Sequence, residues 1–129
     1  MTAAGALLEM RGVTKAFSGV QALRGANLSV LPGEVHALVG QNGAGKSTLI
    51  KIMTGAYRRD AGSVTFLGRE VDFPSPKAAQ AAGLSTIYQE VNLVALRSVA
   101  ENIFLGREPK RFGFLDRRAM NKEAERVLA

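Results

Sequence analysis

Apolar residues fall in short runs broken by turn formers over the first half of the chain, then at helical spacing over the second. The first 39 residues read as three short strands over positions 8–14, 22–30 and 35–39, with Leu31-Pro32-Gly33-Glu34 as a turn in which Gly33 takes positive φ. Ser47-Thr48-Leu49-Ile50-Lys51-Ile52-Met53 is amphipathic at helical period, and Thr54-Gly55 supplies its stop. Asp60-Ala61-Gly62 leads into a strand over 63–67, which Gly68-Arg69 folds back onto 70–72 as a hairpin.

The second half begins with a cleanly marked helix. Ser75 caps it, Pro76 occupies the first helical position, where an amide would have no intrahelical acceptor, and Gly83 closes it. A strand follows over 84–88, with the polar pair Gln89-Glu90 at its carboxyl end, the end from which loops reach a ligand in α/β sheets. Ser98-Val99-Ala100-Glu101 forms a capping box that starts a helix through Phe104. Asp116 caps the last helix, where Met120, Ala124, Val127 and Leu128 make one apolar stripe. The stripe needs a surface to bury against and little sequence follows it, so the chain is expected to be a portion of a longer domain.

Composition narrows the class without deciding it. With 129 residues and 47% hydrophobic content, the chain is expected to form one globular domain. The absence of cysteine excludes a disulfide framework and thiolate metal sites. No basic segment precedes a long apolar run at the amino terminus, and no stretch reaches the length of a membrane span. Seventeen Lys and Arg against eleven Asp and Glu give a formal charge of +6. Arg107, Lys110, Arg111, Arg117 and Arg118 cluster with Phe112 and Phe114, diluted by Glu108 and Asp116. This stretch reads as a connector or partner-facing loop, since no nucleic-acid-reading motif accompanies it.

The chemistry is carried by residues 40–48, which satisfy the pattern GxxxxGK[ST] directly after the apolar run at 35–39. Gly40, Gly43 and Gly45 permit backbone N–H groups to turn inward around a polyphosphate at a helix start, because no Cβ obstructs the concavity. Asn42 and Ala44 complete the loop and Thr48 follows it. Lys46 is placed to neutralise the β- and γ-phosphates, and Ser47 to offer a hydroxyl to Mg²⁺. A strand before and an amphipathic helix after distinguish this from a glycine-rich turn with an incidental lysine.

Other candidates are less sharply marked. Phe17 either stacks on a purine or is an ordinary core or turn aromatic. His36 precedes the loop, lacks companion metal ligands and reads as a structural or surface residue. Gln89 either binds Mg²⁺ and orients water through its amide oxygen or is a strand-end hydrogen bonder. Asp60 and Asp72 read as turn and hairpin-end residues, and no apolar strand ending in an acidic residue follows to complete a hydrolytic apparatus.

Taken together, residues 13–17, 38–49, the 60–68 hairpin, Ile87-Tyr88-Gln89-Glu90 and the run 98–108 resemble the ATP-binding subunit of ABC transporters. Within that family the chain is similar to the first cassette of the monosaccharide importers. The resemblance implies an α/β fold of the P-loop NTPase class: an N-terminal antiparallel β subdomain and the start of a RecA-like core, with residues from about 110 to 129 as connector and start of a helical subdomain. It implies ATP and Mg²⁺ as cofactors, with Phe17 stacking on adenine, residues 40–48 holding phosphate, and Ser47 and Gln89 meeting Mg²⁺. Its implied partners are a second cassette and the permease subunits, with a substrate-binding protein engaged indirectly, at the cytoplasmic face of the membrane. The family's signature loop, Mg²⁺ aspartate, catalytic glutamate and switch histidine lie downstream of the region matched, so residues 1–129 alone are expected to be marginally stable and inactive. Arg59 stands where relatives often carry proline, which is expected to loosen that turn.

Two other functions compete with an importer motor. A soluble cassette protein acting on nucleic acid or the ribosome would use the same loop to govern a clamp, and a nucleotide-binding fragment without turnover would need only the cradle. Sequence beyond residue 129 discriminates among them.

Overall fold

The computed structural model describes residues 5–88 and 93–129, and the chain divides into two compact units, Met1–Ile87 and Tyr88–Ala129. In the first unit, β1 (Leu8–Phe17) and β2 (Val20–Val30) form an antiparallel hairpin. Its two-residue turn places both Ser18 (φ 46°) and Gly19 (φ 82°) in the left-handed region, the geometry that follows the natural twist of paired strands. After α1 (Lys46–Met53), β3 (Ala61–Phe66) returns to pair with the free edge of β1, and β4 (Arg69–Glu70) folds back on β3. The sheet order is β2-β1-β3-β4, antiparallel throughout, which is the N-terminal β subdomain expected from the sequence.

The core sits between this sheet and α1. Leu8 and Met10 of β1 stand opposite Phe66 and Val64 of β3, and all four are buried with Val13, Leu23 and the helix residues Leu49 and Ile52. Burying a side chain of this size stabilises by about 1.5–3 kcal/mol. The helix that opens the phosphate loop is therefore fixed by its own apolar face. Thr54 and Gly55 end it, with Gly55 at φ 78°. A short helix, α2 (Pro76–Ala82), follows as expected: Ser75 Oγ accepts the Ala78 amide at 3.2 Å and Gly83 closes it at φ 108°.

Three expectations for this unit need correction. Residues 35–39 and 84–88 carry strand-like apolar runs but pair in no ladder, and Val35, Val39 and Ile87 are almost wholly exposed. The edges of β1 are both taken, by β2 and β3, and an apolar run alone does not supply neighbours to hydrogen-bond with. Arg59 tightens its turn rather than loosening it. Its guanidinium donates to the carbonyls of Gly62 (2.9 Å) and Val71 (3.1 Å) and to Asp72 (3.2 Å), so it bridges the start of β3 to the end of the hairpin.

In the second unit, α3 (Val99–Ile103) has the capping box in full: Ser98 Oγ accepts the Glu101 amide and Glu101 accepts the Ser98 amide. Asp116 caps α4 (Arg117–Leu128) by accepting the Ala119 amide at 2.9 Å. Met120 and Ala124 bury against Ala100, with Ile103 and Phe104 packed around them. The leading half of the stripe thus finds its cover upstream, whereas Val127 and Leu128 stay largely exposed. The stretch read as a connector contains a hairpin, β5 (Lys110–Arg111) and β6 (Phe114–Leu115), turning through Phe112 and Gly113 at positive φ. No β-branched run announced it. A two-residue turn with glycine in second place was its only signal.

Candidate functional site

The phosphate loop lies against the β1–β2 hairpin. Asn42, Gly43, Gly45, Lys46, Ser47 and Thr48 line a depression of about 340 Å³ whose other wall is residues 20–22. Gly45 caps α1 in the left-handed conformation (φ 88°), and among the described residues no side-chain cap accepts from the first amides of the helix. Those amides are the donors that an anion satisfies at a helix N-terminus. A Cβ at Gly45 would stand 2.7 Å from the Ala22 carbonyl oxygen and 2.7 Å from Leu23 Cδ2, so only glycine lets the loop close onto β2. Gly43, also left-handed at φ 85°, faces open space and is required by conformation alone.

Lys46 bridges the carbonyl oxygens of Gly40 and Gln41, the latter at 2.7 Å, which sets its ammonium at the rim of the loop. The Ala44 amide donates to Gln41 O at 3.1 Å and closes the loop on itself, and a Cβ at Gly40 would come within 3.2 Å of Ala44 Cβ. Ser47 sits in the first turn of α1 and lines the depression, where a hydroxyl can ligate a hard cation held by phosphate. Among the described residues there is no cluster of three or more acidic or histidine side chains able to hold a metal ion. The side-chain oxygens that line the depression, those of Gln21, Asn42, Ser47 and Thr48, are all neutral and form no carboxylate cage, a donor set that suits a cation carried in with phosphate.

Phe17 ends β1 directly opposite Val20, which lines the depression. Its ring is part-exposed and meets Tyr57 at a centroid distance of 5.1 Å and an interplanar angle of 63°. Lys15 lies 5.4 Å from the Phe17 ring centre and donates to Asp60 Oδ1 at 2.8 Å, while Asp60 Oδ2 accepts the Ala16 amide at 2.7 Å. The Lys15 ammonium first and the Ala16 amide second hold the Asp60 carboxyl below the ordinary carboxylate range. Asp60 is therefore occupied in structure. Tyr57, Lys51 and the wall at 20–22 escaped the sequence reading, because proximity across a sheet edge leaves no trace in local spacing.

His36 pairs through Nδ1 with Glu34 at 3.0 Å, and Glu34 also accepts the Leu31 amide at 2.6 Å. That places His36 in a local turn network, in keeping with a structural role. Asp72 meets Arg58 and Arg59 at the hairpin end. Gln89 lies outside the described residues.

Residues 23–129 match the family model described as ABC transporter. The ribose import ATP-binding protein RbsA 1 of Rubrobacter xylanophilus is 59% identical over 122 residues, covering 95% of this chain and 24% of that protein. The chain thus spans about a quarter of the length of that relative. Among solved structures, MJ1267, an ATP-binding cassette of an ABC transporter, aligns over 95% of this chain and 53% of its own with a TM-score of 0.78 at 28% identity. Its ADP conformation aligns over 60% of this chain and 31% of its own, with a TM-score of 0.59 at 35% identity. A phosphate-loop cradle on an antiparallel sheet, a family match over most of the chain and this likeness to solved cassettes agree: the chain belongs to the ABC transporter family, within its ATP-binding cassette.

Proposed function

We propose that this chain binds MgATP in the motor subunit of an ABC importer that couples ATP binding and hydrolysis to carbohydrate uptake. The carrying observation is the cradle: a left-handed Gly45 with no side-chain cap, the Lys46 ammonium at the loop rim and Ser47 in the first helical turn all border one depression. Lys46 exchanges its contacts with loop carbonyls for the β- and γ-phosphates, and the amides at the start of α1 receive the remaining charge. Mg²⁺ would supply charge neutralisation for the phosphates at this site. Ser47 would hold it through its hydroxyl, and the family resemblance would give Gln89 the roles of second ligand and positioner of the attacking water. Phe17 supplies the base-stacking face.

The sugar assignment rests on the 59% identity to a protein named for ribose import. Its corollaries are a second cassette facing this one, permease subunits driven by closure, a substrate-binding protein engaged indirectly, and a peripheral position at the cytoplasmic membrane face. Direct contact with nucleic acid forms no part of this reading. In this reading residues 1–129 by themselves hold ATP without turnover, because the sequence has no apolar strand run ending in Asp or Asp-Glu to accompany Lys46 and Ser47. Calorimetric titration with MgATP tests the assignment. Lys46→Ala should abolish measurable binding while the circular dichroism spectrum is retained, and unchanged affinity in that variant would refute it.

A further inference from the structure

We infer that Tyr57 is a positioning residue for base recognition: it locks the Phe17 ring and ties it to the helix that carries the phosphate cradle. This rests on Phe17 being the stacking face and goes beyond it by naming what holds that face. Tyr57 is bound to α1 at both ends. Its amide donates to Lys51 O at 3.0 Å, and Lys51 Nζ lies 5.0 Å from its ring centre and 3.4 Å from its hydroxyl. Lys51 belongs to the same helix whose first turn presents Lys46 and Ser47.

On the other side, the tilted contact between Tyr57 and Phe17, at 5.1 Å and 63°, is the edge-to-face arrangement that aromatic pairs favour. The Lys15 ammonium, held by Asp60, rests 5.4 Å from the same Phe17 ring. Asp60 follows Tyr57 by three residues and donates its amide to Thr14 O at 2.9 Å, so residues 57–60 grip the end of β1. A part-exposed phenyl ring left alone samples rotamers on the picosecond to nanosecond scale. Fixed between Tyr57 and the Lys15–Asp60 pair, it meets a purine already oriented, at a set distance from the phosphate loop, and loses less freedom on binding.

The test compares MgATP with magnesium tripolyphosphate, which has phosphates and no base, titrated calorimetrically into the full chain. Tyr57→Ala should weaken ATP about two- to tenfold, the range of one aromatic pair, and leave tripolyphosphate affinity unchanged, which also shows the cradle folded. Tyr57→Phe should keep wild-type affinity for both. In a Phe17→Ala background, Tyr57→Ala should cost nothing further. Equal loss of ATP and tripolyphosphate in Tyr57→Ala, or no loss of ATP while Phe17→Ala does weaken it, would overturn the role of Tyr57 and leave Phe17 as the stacking face. Unchanged ATP affinity in Phe17→Ala would overturn both.

Discussion

The Cα of Gly45 lies so close to Ala22 that a single added carbon would stand 2.7 Å from the Ala22 carbonyl oxygen. The loop and the second strand therefore share one surface with no slack. Gly45→Ala combines left-handed strain with this collision and should destabilise by about 1–3 kcal/mol, with loss of ATP binding at temperatures where the variant is still folded. Gly43→Ala has the strain without the collision and should be milder in urea denaturation. Equal midpoints for the two variants would contradict the close approach.

Arg59 should prove one of the costlier surface-turn residues to remove. Arg59→Ala abandons the Gly62 and Val71 carbonyls and Asp72, and should cost about 1–3 kcal/mol in thermal or chemical unfolding. Arg59→Lys should recover only part, because an ammonium cannot reproduce the planar fork that serves three acceptors. Tripolyphosphate affinity should be unchanged in both.

The legibility of the chain followed the range of the physics involved. Helix caps at Ser75, Ser98 and Asp116 were readable because their hydrogen bonds close within three residues, and the structure shows each of them. The phosphate loop was readable because nine consecutive residues carry nearly the whole cradle. The runs at 35–39 and 84–88 misled, since apolar content reports a preference for burial and says nothing of the neighbours that must provide it. Arg59 misled for a related reason: its acceptors, Gly62 and Val71, lie on two arms of a hairpin that local sequence does not superimpose. Residues 20–22 and Tyr57 reach the site only through tertiary packing.

Acid should weaken the fold. Asp60, Glu34, Glu101 and Glu108 all have carboxyls held below their ordinary range, by the Lys15 ammonium for Asp60 and by backbone amides of Leu31, Ser98 and Gly106 respectively for the others. A depressed folded pKa favours the native state in full above the unfolded value of about 4. Below it the unfolded chain takes up protons first, and the advantage disappears as pH falls through the folded values. The melting temperature should therefore be flat near neutrality and drop below about pH 4. Asp60→Asn should lower it at neutral pH and shallow the acid slope, and a parallel slope would remove Asp60 from the account.

Asn102 should matter to the second unit as much as the capping box does. Its amide donates to the carbonyls of Val94, Arg97 and Ser98 while its oxygen accepts the Val94 amide at 2.8 Å, so it knits the approach to α3 onto the helix. Ser98→Ala should cost about 0.5–2 kcal/mol, the usual loss for a cap. Asn102→Ala should increase amide exchange at Val94 as well as within α3, whereas Ser98→Ala should leave Val94 protected.

Strand order has a consequence for how the chain acquires its shape. β1 is central, yet only β2 is its neighbour in sequence; β3 reaches it after the phosphate loop and α1 have been made. The first hairpin closes through a two-residue turn and can form within microseconds, but docking Phe66 opposite Leu8 closes a long loop that contains the whole cradle. The slow, entropically costly event in assembling the sheet is thus the same event that traps the nucleotide-binding helix against it. A nascent chain therefore has its first hairpin before the cradle, whereas the four-stranded sheet and the seated phosphate loop arrive together with β3.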